Sequence, residues 1–183
     1  MITFDKHLKK QIIMKKLVFI LSIMMSLTLT QQTFAQKTIV DVAVGNEDFS
    51  TLVAALTAAD LVAALQSDGP FTVFAPTNAA FAKIDSKTLN SLLEKKNQVA
   101  LANILTYHVV PGKFVASDVV AALKEGKGTL NLTTLYGEVL TVVQKDDKIW
   151  LKDQKGNYSE IIATDVMASN GVIHVIDTVV MPN

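Results

Sequence analysis

One passage of the sequence decides the fold: FTVFAPTNAAF, at residues 71–81. Its first four residues are aromatic or β-branched, which is typical of a buried strand. Pro76 ends that strand, and Thr77 is placed to accept an N–H of the first helical turn through its hydroxyl. Asn78 then lies in this first turn, where its amide can hydrogen-bond to a neighbouring loop. The passage therefore predicts a strand that runs directly into a helix.

Helical spacing dominates the residues on either side of this passage, from residue 48 to residue 123. The predicted helices place apolar residues at i, i+3, i+4 and i+7 on their inner faces. These residues are Phe49, Leu52, Val53, Leu56, Leu61, Leu65, Phe81, Ile84, Leu89, Leu92, Leu93, Leu101, Ile104 and Leu105. Asp48, Thr77, Ser86 and Asn97 are the candidate N-caps. The turn residues Ser67 to Pro70 separate the early helices from the strand.

The C-terminal part of the chain changes to a period of two beyond Gly126 and Gly128. Five strands are predicted there, at residues 129–133, 138–144, 148–152, 158–166 and 172–180. Their connecting turns are short and polar, so neighbouring strands should pair antiparallel as hairpins. Helices followed by strands indicate the α+β class.

The first 35 residues have the pattern of an export signal. Met14 is followed by two lysines and then by an apolar run at 17–29, about 13 residues long and too short to span a bilayer. Ala35 supplies the small residue that signal peptidases require before a cleavage site. We expect translation from Met14 and cleavage after Ala35, which leaves residues 36–183 as one secreted or periplasmic domain. An uncleaved N-terminal membrane anchor is the alternative.

Removing this leader changes the charge of the protein. Five of the 17 lysines and one of the 17 acids lie in residues 1–35, so the remaining chain carries about −4. It contains no arginine, which excludes bidentate recognition of phosphates and bases, and we expect no nucleic-acid partner. Cysteine is also absent, so neither a disulfide framework nor a lipid-anchoring cysteine is available, and no membrane insertion is expected after cleavage.

The residues that most enzymes need are missing from the mature sequence. Only His108 and His174 remain after the leader, with no cysteine nucleophile, no serine elbow and no phosphate-binding loop. Two histidines among scattered aspartates do not form a metal-binding motif. We therefore expect a protein that is not an enzyme and that holds no cofactor or metal.

The two histidines and three nearby polar positions have predicted structural roles. His108 continues the inner face of the helix that carries Leu101, so both its ring nitrogens should be hydrogen-bonded and tie the helix to a loop. A ligand or pH-sensing role is the alternative. His174 lies in a strand of alternating Val and Ile, which leaves its role open. Asn170 and Gly171 should form a turn with positive φ at the glycine, and Asp177 should pair with a backbone donor or a lysine.

Three stretches together resemble the fasciclin-like domain family. The first is residues 71–81, the second is ILTYHVVPG at residues 104–112, and the third is NGVIHVIDTVVMP at residues 170–182. They occur in the family's order and spacing, so the resemblance covers residues 38–181. It implies a helical layer packed on an antiparallel β-wedge, and an extracellular or periplasmic protein of adhesion or matrix contacts without general enzymatic activity.

The resemblance also marks signature positions with structural or binding roles. They are Thr77, Asn78, Tyr107, His108, Asp165, Asn170, His174 and Asp177. Residues 163–167 are similar to the Asp-plus-aliphatic segment that animal relatives present to integrins, although Ala163 and Thr164 replace the usual Glu-Pro. The other interpretation is a strand end with Val166 and Met167 buried.

Two functions remain open at this point. The first is a secreted, non-enzymatic adhesion or matrix-binding module, which contacts a protein or glycan near the second and third stretches. The alternative is a carrier of a small apolar ligand, a lipid or a pigment, because the helical half is rich in aliphatic residues.

Overall fold

The computed structural model describes residues 37–183, which form seven α-helices and seven β-strands. The helices are α1 (Ile39–Val44), α2 (Ser50–Ala58), α3 (Val62–Leu65), α4 (Asn78–Phe81), α5 (Ser86–Leu93), α6 (Gln98–Tyr107) and α7 (Ala116–Glu125). The strands are β1 (Phe71–Pro76), β2 (Val109–Pro111), β3 (Thr129–Thr133), β4 (Val139–Lys145), β5 (Lys148–Lys152), β6 (Tyr158–Ala168) and β7 (Gly171–Ile176). The predicted leader and its cleavage after Ala35 lie outside the described residues and stay predictions. Within residues 37–183, no helix combines the length and the apolar character needed to cross a membrane.

All seven strands join one sheet in the order β2-β1-β7-β6-β5-β4-β3. From β3 to β7 each strand pairs antiparallel with the next, as the short polar turns predict. β1 pairs antiparallel with β2 and parallel with β7, with Phe71 opposite Gly171. The α+β class is therefore confirmed. One parallel pair enters the sheet because β1 and β7 lie far apart in the chain and are not joined by a hairpin.

Strand β7 is buried on both faces and separates two hydrophobic cores. The helical core on one face contains Ile39, Leu52, Leu56, Phe81, Leu101, Leu105, Ile173 and Val175. The core on the other face lies between α7 and the curled strands β3 to β6, and contains Phe74, Tyr107, Val119, Leu123, Leu140, Val142, Leu151 and Ile176. Because each buried leucine or isoleucine contributes roughly 2 kcal/mol, these cores stabilise a chain that has no disulfide.

Helix α1 is an element that the sequence analysis does not predict. A reciprocal capping box begins it. The Thr38 hydroxyl accepts the Asp41 N–H at 3.3 Å, and the Asp41 carboxylate accepts the Thr38 N–H at 2.9 Å. The Thr38 hydroxyl also donates to the Asp41 carboxylate at 2.7 Å, and this hydrogen bond first, followed by the one from the Thr38 N–H, lowers the pKa of Asp41.

Two predicted N-caps are displaced in the structure. Asn46, rather than Asp48, accepts the first backbone N–H of the segment that leads into α2. Asp85, rather than Ser86, caps α5. In both cases the capping side chain accepts an N–H two or three residues further along the chain. The observed cap therefore lies one or two residues before the predicted one. Asn97 does precede α6, but its amide donates to a carbonyl of the preceding segment instead of capping.

Strand lengths at the C-terminus also differ from the prediction. The strand predicted at 172–180 ends at Ile176, because Asp177 leaves the ladder to bind the backbone of β6. β6 continues beyond residue 166 to Ala168 through an irregular register. β2 has only three residues, too few to show alternation in the sequence.

Candidate functional site

His108 is buried at the end of α6, as its place on the helix face predicts. Its Nδ1 donates to the Ile104 carbonyl oxygen at 2.7 Å, which leaves Nε2 to accept the Val180 N–H at 3.2 Å. Burial lowers the pKa of His108 to about 4 and outweighs the opposing effect of the Ile104 carbonyl. The neutral imidazole therefore ties α6 to the C-terminal segment, and no part of the ring is available to a ligand.

Tyr107 points into the second core from the neighbouring position on α6. Its side chain is fully buried, and its hydroxyl donates to the Val139 carbonyl oxygen at 3.1 Å. Burial, together with the negative charges of Asp153 and Glu138, raises the pKa of Tyr107 to about 12. Tyr107 is therefore a neutral anchor between α6 and β4.

Thr77 and Asn78 join the end of β1 to the helices. The Thr77 hydroxyl accepts the Ala80 N–H at 3.2 Å, so Thr77 caps α4 as predicted. Asn78 reaches the start of α2, where its Oδ1 accepts the Thr51 N–H at 2.9 Å and its Nδ2 donates to the Glu47 carbonyl oxygen at 2.8 Å. The predicted hydrogen bond from the Asn78 amide to a neighbouring loop is thus present.

Asp177 fastens the end of β7 to β6 and to the segment after α4. Its Oδ1 accepts the Glu160 N–H at 2.8 Å, and its Oδ2 lies 2.9 Å from Nζ of Lys83. Partial burial raises the pKa of Asp177, but the hydrogen bonds from Lys83, Glu160 and Thr178 together lower it further, so the net pKa lies below its usual range. Asp177 thus pairs with both of the partners predicted for it.

Asn170 links three separate segments at the opposite end of β7. Its Oδ1 accepts the Ile39 N–H at 2.9 Å, and its Nδ2 donates to the carbonyl oxygens of Leu65 and Ser67 at 2.8 and 2.9 Å. The prediction that the next residue, Gly171, has positive φ is wrong. A Cβ at Gly171 would instead meet the β1 backbone, so glycine is required there by close packing and not by turn geometry.

An open cleft of about 390 Å³ lies beside Asn170. Asn170, Ser67, Asp68 and Lys113 contribute to its walls. Because the cleft is open and has polar walls, it does not resemble the enclosed apolar cavity that a lipid or pigment requires.

His174 holds an irregular part of β6 against β7. The ring is buried and stacks on Phe74, with the centroids 5.8 Å apart. Its Nε2 donates to the Phe114 carbonyl oxygen at 2.7 Å, and its Nδ1 accepts the Asp165 N–H at 3.4 Å. His174 therefore fixes both the loop before α7 and the backbone at Asp165.

Asp165 occupies a bulge in β6, where the pairing with β7 shifts register between Ala163 and Val166. Its φ of 59° is in the left-handed region, which aspartate tolerates better than most residues. The carboxylate accepts the Ala116 N–H at 2.9 Å and so caps α7 from a distant part of the chain. The bulge is held from both sides by hydrogen bonds.

Apolar side chains are exposed around the bulge, and the sequence analysis expects one of them, Met167, to be buried. Met167 is 52% exposed, so the expectation that it is buried is wrong, whereas Val166 is partly buried against the helical core. Ile162, before the bulge, is also 52% exposed. We call Ile162, Thr164 and Met167 the β6 ridge. A regular strand pattern does not reveal the ridge, because the bulge changes which side chains face inward.

The second core contains a small apolar cavity beside His174, lined by Phe74, Val119 and Val142 among others. Its volume of about 10 Å³ is close to the minimum for one water molecule. A lipid or a pigment would have to open this core to bind in it.

The signature residues do not converge on one reactive centre. Thr77, Asn78 and Asp177 lie at one end of the β1–β7 pair and Asn170 lies at the other, whereas Asp165 and His174 meet at the bulge. Within residues 37–183, no three histidine, aspartate or glutamate side chains are grouped to hold a metal ion. The arrangement supports a rigid surface, and the β6 ridge is one of the places where that surface exposes apolar side chains.

The sequence and the structure both match known proteins. A profile of the fasciclin domain matches residues 47–182. The chain is 53% identical over 150 residues to protein sll1483 of Synechocystis sp., covering 82% of this chain and 76% of that protein. It is 35% identical over 156 residues to the immunogenic protein MPB70 of Mycobacterium bovis, covering 82% and 72%.

Among solved structures, the fold is similar to that of a FAS1 domain pair from the insect cell adhesion molecule fasciclin I. The TM-score is 0.68 at 18% identity, and the match covers 78% of this chain. This chain spans half of that two-domain structure.

Proposed function

This chain belongs to the fasciclin domain family, and from that premise we propose that it is an exported, non-enzymatic module that attaches to a cell surface or an extracellular matrix. Fasciclin domains are adhesion and matrix-interaction modules and are generally non-catalytic. Support for export comes from the leader pattern between Met14 and Ala35.

The exposure of the side chains decides which surface we assign to partner contact. The buried signature residues Tyr107, His108 and His174 direct their polar atoms to internal hydrogen bonds, so they are not available to a partner. The β6 ridge, in contrast, exposes Ile162 and Met167 on a backbone that Asp165 and His174 hold rigid. A backbone that is already ordered loses little conformational entropy on binding, and exposed apolar side chains gain free energy when a partner covers them, so the ridge favours protein contacts. We assign the partner contact to this ridge.

Native mass spectrometry of the exported protein tests the export and the carrier alternative together. We expect the mass of an unmodified chain that begins at Gln36, without a bound small molecule. A chain that retains the leader would contradict cleavage after Ala35. A co-purifying lipid or pigment would favour the carrier and would require the 10 Å³ cavity to expand.

Retention of the same exported protein on surfaces tests adhesion. The surfaces are intact cells of the source organism, their exopolysaccharide and an array of extracellular-matrix proteins. We expect saturable retention on at least one of them. Absence of retention on all of them at micromolar protein would contradict the proposed function.

A further inference from the structure

The outer face of strands β4 to β6 carries a second group of surface side chains, none of which belongs to the β6 ridge. Leu140, Val142, Leu151 and Ser159 alternate inward on these strands and are fully buried. Helix α7 packs on that inner side, because Val119 and Leu123 share the same core. The alternate side chains of β4 to β6 therefore point away from the core. We define the open face by Lys145, Lys148, Trp150, Lys152, Tyr158 and Glu160.

Two aromatic rings lie close together on the open face. Trp150 pairs with Glu160 across β5 and β6, and Lys152 pairs with Tyr158, so Trp150 and Tyr158 are diagonal neighbours. Diagonal positions on a sheet are about 7–8 Å apart, within reach of aromatic side chains. Tyr158 is 49% exposed and Trp150 is partly exposed. Flat aromatic surfaces with polar edges suit a sugar ring, which has an apolar C–H face and a rim of hydroxyl groups.

The charges around these rings favour an anion. Lys145 and Lys148 stand directly opposite each other on β4 and β5, and like charges in that position repel. Nζ of Lys152 lies 5.9 Å from the centroid of the Tyr158 ring. Glu160 is the one acid among the residues that define the face, and it lies 2.7 Å from Nζ of Lys148. The face therefore carries more positive than negative side chains, although residues 36–183 as a whole carry about −4.

Two aspartates limit this charged region at one end. Asp146 and Asp147 form the turn between β4 and β5, both with positive φ. They lie beyond the strand ends, so they border the lysines without standing between Lys152 and the aromatic rings. Because Glu160 stands opposite Trp150, an anion is favoured on the other side of the rings, next to Lys152 and Tyr158.

Trp150 also carries a donor without an acceptor. Its Nε1 is buried and has no hydrogen-bond partner within the described part of the chain. A buried N–H that lacks an acceptor is destabilising, and an oxygen from a bound molecule would satisfy it. Because the atom is covered in the free domain, a neighbouring side chain must move before such an oxygen can reach it.

We propose that the open face binds an acidic polysaccharide, whose sugar rings stack on Trp150 and Tyr158 and whose carboxylates or sulfates pair with the lysines. A second copy of this chain fits less well, because an interface made from two such faces would collect the three lysines and one glutamate of each, so positive charge would accumulate in it. The proposal goes beyond the adhesive function assigned to the β6 ridge, and the two surfaces share no residue that defines them.

The fluorescence of Trp150 tests the proposal, because it is the only tryptophan in the chain. The purified protein is titrated with an oligogalacturonate of six sugar units and with maltohexaose, a neutral oligosaccharide of the same length. We expect a saturable change in emission with the oligogalacturonate, an affinity at least about tenfold weaker for the neutral sugar, and weaker binding as the salt concentration rises.

Matched variants locate the binding. Tyr158→Ala and Lys152→Ala should each weaken oligogalacturonate binding about tenfold, whereas Lys87→Ala, at an exposed lysine on α5, should leave it unchanged. All three variants keep Trp150 as the reporter, and thermal unfolding verifies that each is folded. Equal affinities in Lys152→Ala and Lys87→Ala would overturn the proposal, as would the absence of any emission change at millimolar sugar. A concentration-dependent dimer that accounts for the emission change without sugar would overturn it in favour of a second copy.

Discussion

Replacing Gly171 by alanine is expected to destabilise the domain by about 3 kcal/mol or more, or to prevent folding. A Cβ at this position would lie 2.8 Å from Cδ1 of Ile39 and 2.9 Å from the Phe71 carbonyl carbon, and closer still to the Phe71 carbonyl oxygen. Gly171 is the residue opposite Phe71 in the parallel pair that β1 and β7 form. Backbone atoms cannot rotate away, so β1 and β7 would have to separate.

Urea unfolding monitored by circular dichroism measures this effect, and Gly45→Ala is the matched control. A Cβ at Gly45 would come no closer than 3.3 Å to another residue, and φ is −77° there, which any residue adopts. We expect the control to change the free energy of unfolding by less than about 1 kcal/mol. A Gly171→Ala protein with the same unfolding midpoint as the wild type would contradict the close approach of the two strands.

Acidification from pH 7 to pH 4 is expected to remove about 3 kcal/mol of stability through His108 alone. The pKa of folded His108 is about 4, whereas an unfolded histidine titrates near 6.5. The unfolded chain therefore takes up this proton first, and the free energy of unfolding falls as the pH decreases through the interval between the two values. Well below pH 4 His108 is protonated in both states, so it adds no further loss there.

Urea midpoints between pH 7 and pH 4 measure this dependence, and the NMR titration of the His108 ring identifies its source. Asp177 is separable from His108, because the lowered pKa of its carboxyl makes its loss of stability begin only near and below the ordinary value of 3.8. We expect the His108 resonances of the folded protein to remain those of a neutral ring at pH 5. A folded-state titration near pH 6.5 would contradict the burial of a neutral imidazole.

The sequence predicts those structural elements that depend only on residues close together in the chain. Thr77 caps α4 because a hydroxyl at that position always has the first-turn N–H groups within reach. The i+7 spacing from Leu101 places His108 in the interior, since helical geometry depends only on neighbours along the chain. Short polar turns specify the hairpins from β3 to β7 for the same reason.

Contacts between residues far apart in the chain cannot be predicted from the sequence alone. Asn170 binds Ile39 across 131 positions, and no local pattern connects them. The sequence identifies Gly171 but for the wrong reason, since an Asn-Gly pair suggests a turn and the structure requires contact with β1. The sequence shows Val166 and Met167 as an apolar strand end and gives no sign of the bulge that leaves Met167 exposed. The diagonal placement of Trp150 and Tyr158 likewise depends on the pairing register of β5 and β6 and not on either strand alone.

Retention of the mature domain on cell-surface and matrix material tests most directly whether the β6 ridge is the adhesive contact. The ridge variant carries Ile162→Lys and Met167→Lys, and the control carries Val99→Lys at a position on α6 that is 74% exposed. Charged side chains on the ridge should lower retention at least about tenfold, because lysine cannot be buried at a contact without a partner, while the control should bind as the wild type does. Undiminished retention of the folded ridge variant would contradict the assignment of adhesion to this surface.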